Sequence, residues 1–276
     1  TLSPSSAASD VYKRQIYGLV APNGTGKSTL INVILNNLKP QKGYVEYNEL
    51  QYKNEKTIVK LHQEICAFPD QSELFSFMTG RDHLKLYANL WHNNPQKVKD
   101  IISTLKMETY IDRKVETYSL GMKQRLCFAM VVATNTSVML LDEVMNGLDP
   151  QNVQLISQVL LNLRAQGKLI IMASHLLQNL QQYADQVLFL KNGRIIKNLN
   201  NKAETKKYLE FNNSSLINDI LEESNYQILP NQTILLPIDE LNPDKFDSII
   251  HILLENNVSF TVRKISLEDL FNKFYG

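Results

Sequence analysis

Apolar residues fall along this chain in two rhythms. Short runs of four or five, bounded by polar residues, recur at Ile16–Val20, 138–141 and Leu169–Ala173, the trace left by strands buried on both faces of a parallel sheet. Between these runs the period lengthens to three or four residues. Leu30, Ile31, Ile34, Leu35 and Leu38, ending at Pro40, and again residues 153–163, predict amphipathic helices. Strand, Gly-rich turn and helix from Ile16, followed by further alternation, predict an α/β fold with a parallel sheet. Residues 72–126 are mostly helical in pattern, with Leu84, Tyr87, Ala88 and Leu90 as one apolar stripe, and form a candidate helical subdomain. Residues 187–190 and Ile195-Ile196 flank Asn192-Gly193, a pair that supplies the positive φ angles of a two-residue hairpin turn. The main domain, residues 16–197, is expected to end there.

Residues 198–213 are polar and read as a linker. Beyond them, 226–229, Thr233–Pro237 and 258–265 have strand patterns and 246–254 a helical one, while Ser266-Leu267-Glu268-Asp269 has the capping-box form that opens a helix. A small α+β appendage over residues 198–276 follows. It is acidic, with twelve acids against seven bases from Asn201 onward.

Charge and composition narrow the function classes. The whole chain has 29 Lys and Arg against 28 Asp and Glu, a balance that argues against an electrostatic nucleic-acid binder. Cys66 and Cys127 are far apart in apolar surroundings and are expected to be buried free thiols. No apolar run approaches the ~20 residues that cross a bilayer, so a membrane role requires a separate spanning partner. Residues 1–15 are rich in Ser and Ala and lack periodicity; 2–15 resemble a translated sequencing-adapter segment, so native sequence is expected from near Ile16.

The candidate chemistry begins at the first turn. Ala21-Pro22-Asn23-Gly24-Thr25-Gly26-Lys27-Ser28-Thr29, between an apolar strand and a helix, fits a phosphate-binding P-loop, in which glycines let backbone amides close on phosphates at a helix N-terminus. Asn23 to Thr29 would hold nucleotide, with Lys27 on the β- and γ-phosphates and the Ser28 hydroxyl on Mg²⁺. The run at 138–141 ends abruptly in Asp142 and Glu143. Strand ends face the ligand crevice in such sheets, so Asp142 would hold the Mg²⁺ shell and Glu143 would polarise the water that attacks the γ-phosphate.

The segment Tyr118-Ser119-Leu120-Gly121-Met122-Lys123-Gln124-Arg125-Leu126 resembles the signature motif of ATP-binding-cassette proteins. Asn146-Gly147-Leu148-Asp149-Pro150 is similar to that family's D-loop, and Ser174-His175 to its switch histidine. All occur in the family's order. The resemblance, close over residues 16–196, implies a P-loop NTPase sheet, ATP and Mg²⁺ as ligands, and a homodimer or paired cassette. In that pair ATP lies between one P-loop and the signature residues Ser119, Leu120, Gly121 and Met122 of the opposite subunit. It implies that Lys27, Glu143 and His175 are catalytic, with His175 sensing the γ-phosphate and Asp149 communicating across the dimer. Phe68-Pro69-Asp70-Gln71 resembles the Q-loop; a gap-free register puts Asp70 in the usual glutamine slot, with Gln71 beside it. Ala21, Leu120 and Val144-Met145 depart from the family pattern, and the family's adenine-stacking aromatic would precede Ile16. The signature's form and the ending Ile265-Ser266-Leu267-Glu268-Asp269-Leu270-Phe271 resemble exporters of antibiotics, bacteriocins or lantibiotics. A subunit of that kind would lie at the cytoplasmic face of the membrane, held by a multi-span permease. A soluble, non-transport cassette and an inactive truncated one are the competing readings.

Overall fold

A computed structural model of the chain describes residues 15–92, 97–201, 206–212, 226–229 and 232–276. The segment expected to be non-native lies outside the described residues apart from Gln15, whose carbonyl accepts the Ile170 amide at 3.1 Å. The chain divides into two compact units, one ending at Asn198 and the other running from Leu199 to Gly276.

The first unit is built on a six-stranded sheet in the order β4 (Ile65–Ala67), β5 (Val138–Asp142), β6 (Leu169–Ala173), β1 (Ile16–Val20), β7 (Gln186–Lys191) and β8 (Arg194–Asn200). The pairs from β4 through β7 are parallel. These strands are Val-, Ile- and Leu-rich and largely buried, as a sheet covered on both faces demands. Their register sets the site: Leu19 and Asp142 both pair with Ala173, so three strands end at one level. At the other side of the sheet Asn192 and Gly193, at φ 52° and 71°, turn β7 into β8.

Helix α1 (Lys27–Ile34) follows β1. It stops a turn short of the periodic run. Asn36 takes φ 62°, and the amides of Asn37 and Leu38 close back onto the Asn32 carbonyl at 2.9 and 3.2 Å, which satisfies the end of the helix and leaves Leu38 exposed. A short ribbon of β2 (Glu46–Tyr47) and β3 (Leu50–Gln51) leads to α2 (Glu55–Glu64), which opens on an Asn54–Thr57 capping box.

The helical layer contains α3 (Gly80–Leu90), α4 (Lys97–Thr104) and α5 (Leu120–Thr134). The stripe expected on α3 is corrected at one position. Leu84 and Ala88 are buried, but Leu90 is 58% exposed, because six residues at about 100° each carry it well round the helix from Leu84. Beyond its exposed first turn the α5 helix is largely enclosed, with Leu126, Cys127, Phe128 and Ala129 fully buried. The remaining helices of this unit are α6 (Pro150–Ala165) and α7 (Leu177–Tyr183).

The second unit is a four-stranded sheet ordered β10 (Gln227–Ile228), β11 (Thr233–Pro237), β9 (Lys207–Asn212) and β12 (Phe260–Lys264), with α8 (Pro243–Glu255) and α9 (Leu267–Tyr275). Here the linker expectation fails. Residues 207–212 form the inner strand β9, paired antiparallel to both β11 and β12. Leu209 and Phe211 meet Leu236 and Ile234 across the ladder and pack with Ile249 and Leu253 of α8. Glu210 between these two apolar residues, and Lys207 and Asn212 at the ends, disguised a half-buried strand as a linker.

Candidate functional site

The loop after β1 wraps around its own lysine. Lys27 is buried, and its Nζ donates to the carbonyls of Ala21 at 2.8 Å and Pro22 at 3.2 Å. Thr25 Oγ1 donates to the same Pro22 oxygen at 2.6 Å. Gly24 and Gly26 turn the loop at φ 75° and 104°, a region that L side chains resist. Ala21 is not among the positive-φ residues, so a Cβ is tolerated at the start of the loop. Gly26 is the N-cap of α1 and brings no capping side chain, so the helix presents its first amides and positive dipole end toward the cleft. Asn23, Gly24, Gly26, Lys27, Ser28 and Thr29 line that cleft with Asp142 and Glu143, around a volume of about 270 Å³.

Across the cleft, the Ser28 hydroxyl donates to Asp142 Oδ2 at 3.2 Å. Glu143 stands one residue beyond β5. Its amide continues the ladder onto the Ala173 carbonyl at 2.9 Å, and its backbone then turns to φ 53°. The carboxylate is held from β6: the His175 amide donates to Oε1 at 3.1 Å and His175 Nδ1 lies 2.8 Å from Oε2. A carboxylate only accepts, so Nδ1 carries the proton in this pair. Among the described residues no group of three or more His, Cys, Asp and Glu side chains could hold a metal by itself. A hydroxyl and a carboxylate that meet beside a phosphate loop nonetheless suit Mg²⁺, which takes few protein ligands and shares phosphate oxygens.

The remaining predicted residues lie outside the cleft lining. Ser119 caps α5, its Oγ accepting the Met122 amide at 3.3 Å, and Leu120 and Gly121 follow in the first turn, with Leu120 62% exposed. Leu120 lies against Gly147, where an added Cβ would come within 3.2 Å of its Cδ2. Asp149 caps α6: its Oδ1 accepts the Asn152 amide at 2.9 Å, and this bond holds its carboxyl below the usual range. Arg125 of α5 also bonds the Asn152 side chain, so α5 and the N-terminus of α6 share one polar network. Asp70 and Gln71 separate in role. Asp70 caps a short 3₁₀ turn, Oδ1 accepting the Ser72 amide at 2.7 Å, whereas Gln71 donates to Gln124 Oε1.

Gln124 received no role in the sequence reading. It is 5% exposed and donates to the carbonyls of Glu143 at 2.9 Å and Val144 at 3.0 Å. A signal was there: a lone amide three and four residues before buried Cys127 and Phe128 faces inward and must find partners.

A family model for ABC transporters matches residues 5–146. The chain is 32% identical over 189 residues to the uncharacterized ABC transporter ATP-binding protein YdbJ of Bacillus subtilis, a match covering 67% of this chain and 60% of that relative's length. It is 26% identical over 282 residues to the bacitracin transport ATP-binding protein BcrA of Bacillus licheniformis, covering 97% and 90%. Among solved structures, the ADP conformation of MJ1267, an ATP-binding cassette of an ABC transporter, aligns with a TM-score of 0.58 at 25% identity, over 69% of this chain and 84% of that one.

Proposed function

The chain belongs to the ABC transporter family, and on that premise we propose that it is the ATP-binding, ATP-hydrolysing subunit of an exporter of antibiotic- or peptide-like molecules. It works with a second cassette and a multi-span permease that keeps it at the cytoplasmic face of the membrane. The observation that carries this reading is the meeting of five groups from three strand ends: Lys27 and Ser28 after β1, Asp142 and Glu143 at the end of β5, and His175 after β6, bonded to Glu143. Likeness to the bacitracin transport protein along nearly the whole chain supports the exporter class.

The chemistry follows from the donors available. An ammonium has three N–H groups; two of those on Lys27 grip its own loop and leave one for phosphate oxygens. The N-terminal amides of α1 and the loop around Gly24 and Gly26 add donors and a positive dipole end. Ser28 and Asp142 would hold Mg²⁺, which when bound neutralises charge on the phosphates. Glu143 accepts a proton from the attacking water, and His175, its side chain about half exposed, orients the carboxylate through Nδ1. The γ-phosphate would still face water on one side. Ser119 and the Gly121 amide, exposed or half-exposed at the N-terminus of α5, suit closure of that side in the partner cassette.

The test is Glu143→Gln in the full chain. It is expected to retain ATP, to form a longer-lived dimer with Mg²⁺ and ATP on size-exclusion chromatography, and to lose roughly 10²- to 10⁴-fold in turnover. Undiminished turnover would reject Glu143 as the base. A chain that binds no magnesium nucleotide would reject the whole reading.

A further inference from the structure

We propose that Gln124 is a positioning residue for the base: it clamps the backbone of Glu143 in a strained conformation, with Gln71 as the outer latch of the same clamp. The proposal rests on the assignment of Glu143 above. Backbone carbonyls can only accept, so the Gln124 atom between the Glu143 and Val144 oxygens, at 2.9 and 3.0 Å, is the amide nitrogen. Both its N–H groups are thereby used. Its Oε1 must then point the other way, onto Gln71, and the Gln71 atom that meets it must be a donor, Nε2. Each amide orientation is forced by the one before it, and no polar atom of Gln124 is left without a partner.

What this clamp holds is unusual backbone. Glu143 sits at φ 53°, a left-handed conformation that L residues resist and that persists only where the surroundings fix it from several sides. Its amide is tied to Ala173, and its carbonyl accepts both the Asn146 amide at 3.0 Å and Gln124. Its side chain is tied to His175. Of these anchors only Gln124 comes from the helical layer, and only Gln124 also grips the next carbonyl. The left-handed turn directs the carboxylate over the cleft instead of along the strand. Loss of the clamp would let residues 143–144 relax toward ordinary φ and swing the carboxylate from its place. Gln71 lies in the loop after β4, so a displacement of that loop reaches the Glu143 carbonyl through a single buried side chain.

The experiment compares the full chain with Gln124→Met, Gln71→Ala and Glu143→Gln, and with Gln124→Met combined with Glu143→Gln. Gln124→Met keeps the length and burial of the side chain and removes its bonds. It is expected to lower kcat about 10- to 100-fold, the scale on which misplacement of a reacting group acts. Affinity for a fluorescent ATP analogue and KM should stay within about twofold, since neither residue lines the phosphate loop. Gln71→Ala should do the same more weakly, about 3- to 10-fold. Amide hydrogen exchange over residues 143–146 without nucleotide should quicken in both variants. In the Glu143→Gln background, Gln124→Met should cost nothing further, because there is no base left to position. Unchanged kcat in Gln124→Met, a parallel loss of nucleotide affinity, or a full additional loss in the combined variant would each overturn the proposal. Should Gln124→Met fail to fold, unchanged kcat and exchange in Gln71→Ala overturn it alone. If Glu143→Gln itself turns over normally, the base assignment has failed instead.

Discussion

At the residue scale, burial decides what several side chains can do. Cys66 and Cys127 are 2% and 0% exposed, and burial pushes both thiols up to about 12. At pH 8 only about one such thiol in 10⁴ is thiolate, and the thiolate is the reactive form. Iodoacetamide at that pH is therefore expected to leave both cysteines unmodified in the native chain and to label both after denaturation, as mass spectrometry would read; rapid labelling of the native chain would contradict the burial. Their free state was readable from spacing and apolar neighbours. The φ of Glu143 was not, because nothing about a carboxylate after an apolar strand announces a left-handed turn; that conformation comes from the anchors on both sides of it. Gln124 shows the same limit, since its partners are consecutive carbonyls about twenty residues away.

At the element scale, the last helix of the second unit is tied to its sheet by charge. Arg263 on β12 bonds Glu210 on β9 and Asp269 in the first turn of α9, where Asp269 also completes the Ser266 capping box. Burial raises the Asp269 carboxyl, but the bonds from Arg263 and from Ser266 outweigh it and leave the group below its ordinary 3.8. A carboxyl depressed in the folded state contributes stability that is present above its unfolded pKa and lost as pH falls through the folded value. Asp269→Asn should therefore lower the denaturant midpoint at pH 7, and the gap to the parent chain should shrink as pH drops below about 3.8. A gap that held constant to pH 2 would mean that charge plays no part. The capping-box serine marked this helix in the sequence, but the arginine that grips the same carboxylate was hidden, being on another element. Periodicity likewise placed α1 and α3 but missed where α1 stops and which way Leu90 faces.

At the scale of the whole molecule, every residue of the candidate site belongs to the first unit, while the second has its own core around Leu209, Phe211, Ile234 and Ile249. Leu209→Ala is expected to destabilise that second unit by about 2–5 kcal/mol, the range for emptying a packed core position. Nucleotide affinity at a temperature where both units stay folded should be unchanged; a matching drop in affinity would show that the site depends on the appended sheet. The sequence by itself determined the alternation of buried strands and helices, the loop around Lys27, the two carboxylates at a strand end and the order of the motifs, because each is a local pattern of burial or of backbone freedom. Tertiary structure alone decided that β1, β5 and β6 end side by side, that His175 grips Glu143, that Gln71 reaches the Glu143 carbonyl through Gln124, and that β9 is a strand. Those are pairings across tens of residues or more, fixed by sheet register and helix packing, and no local run of residues specifies its distant partner.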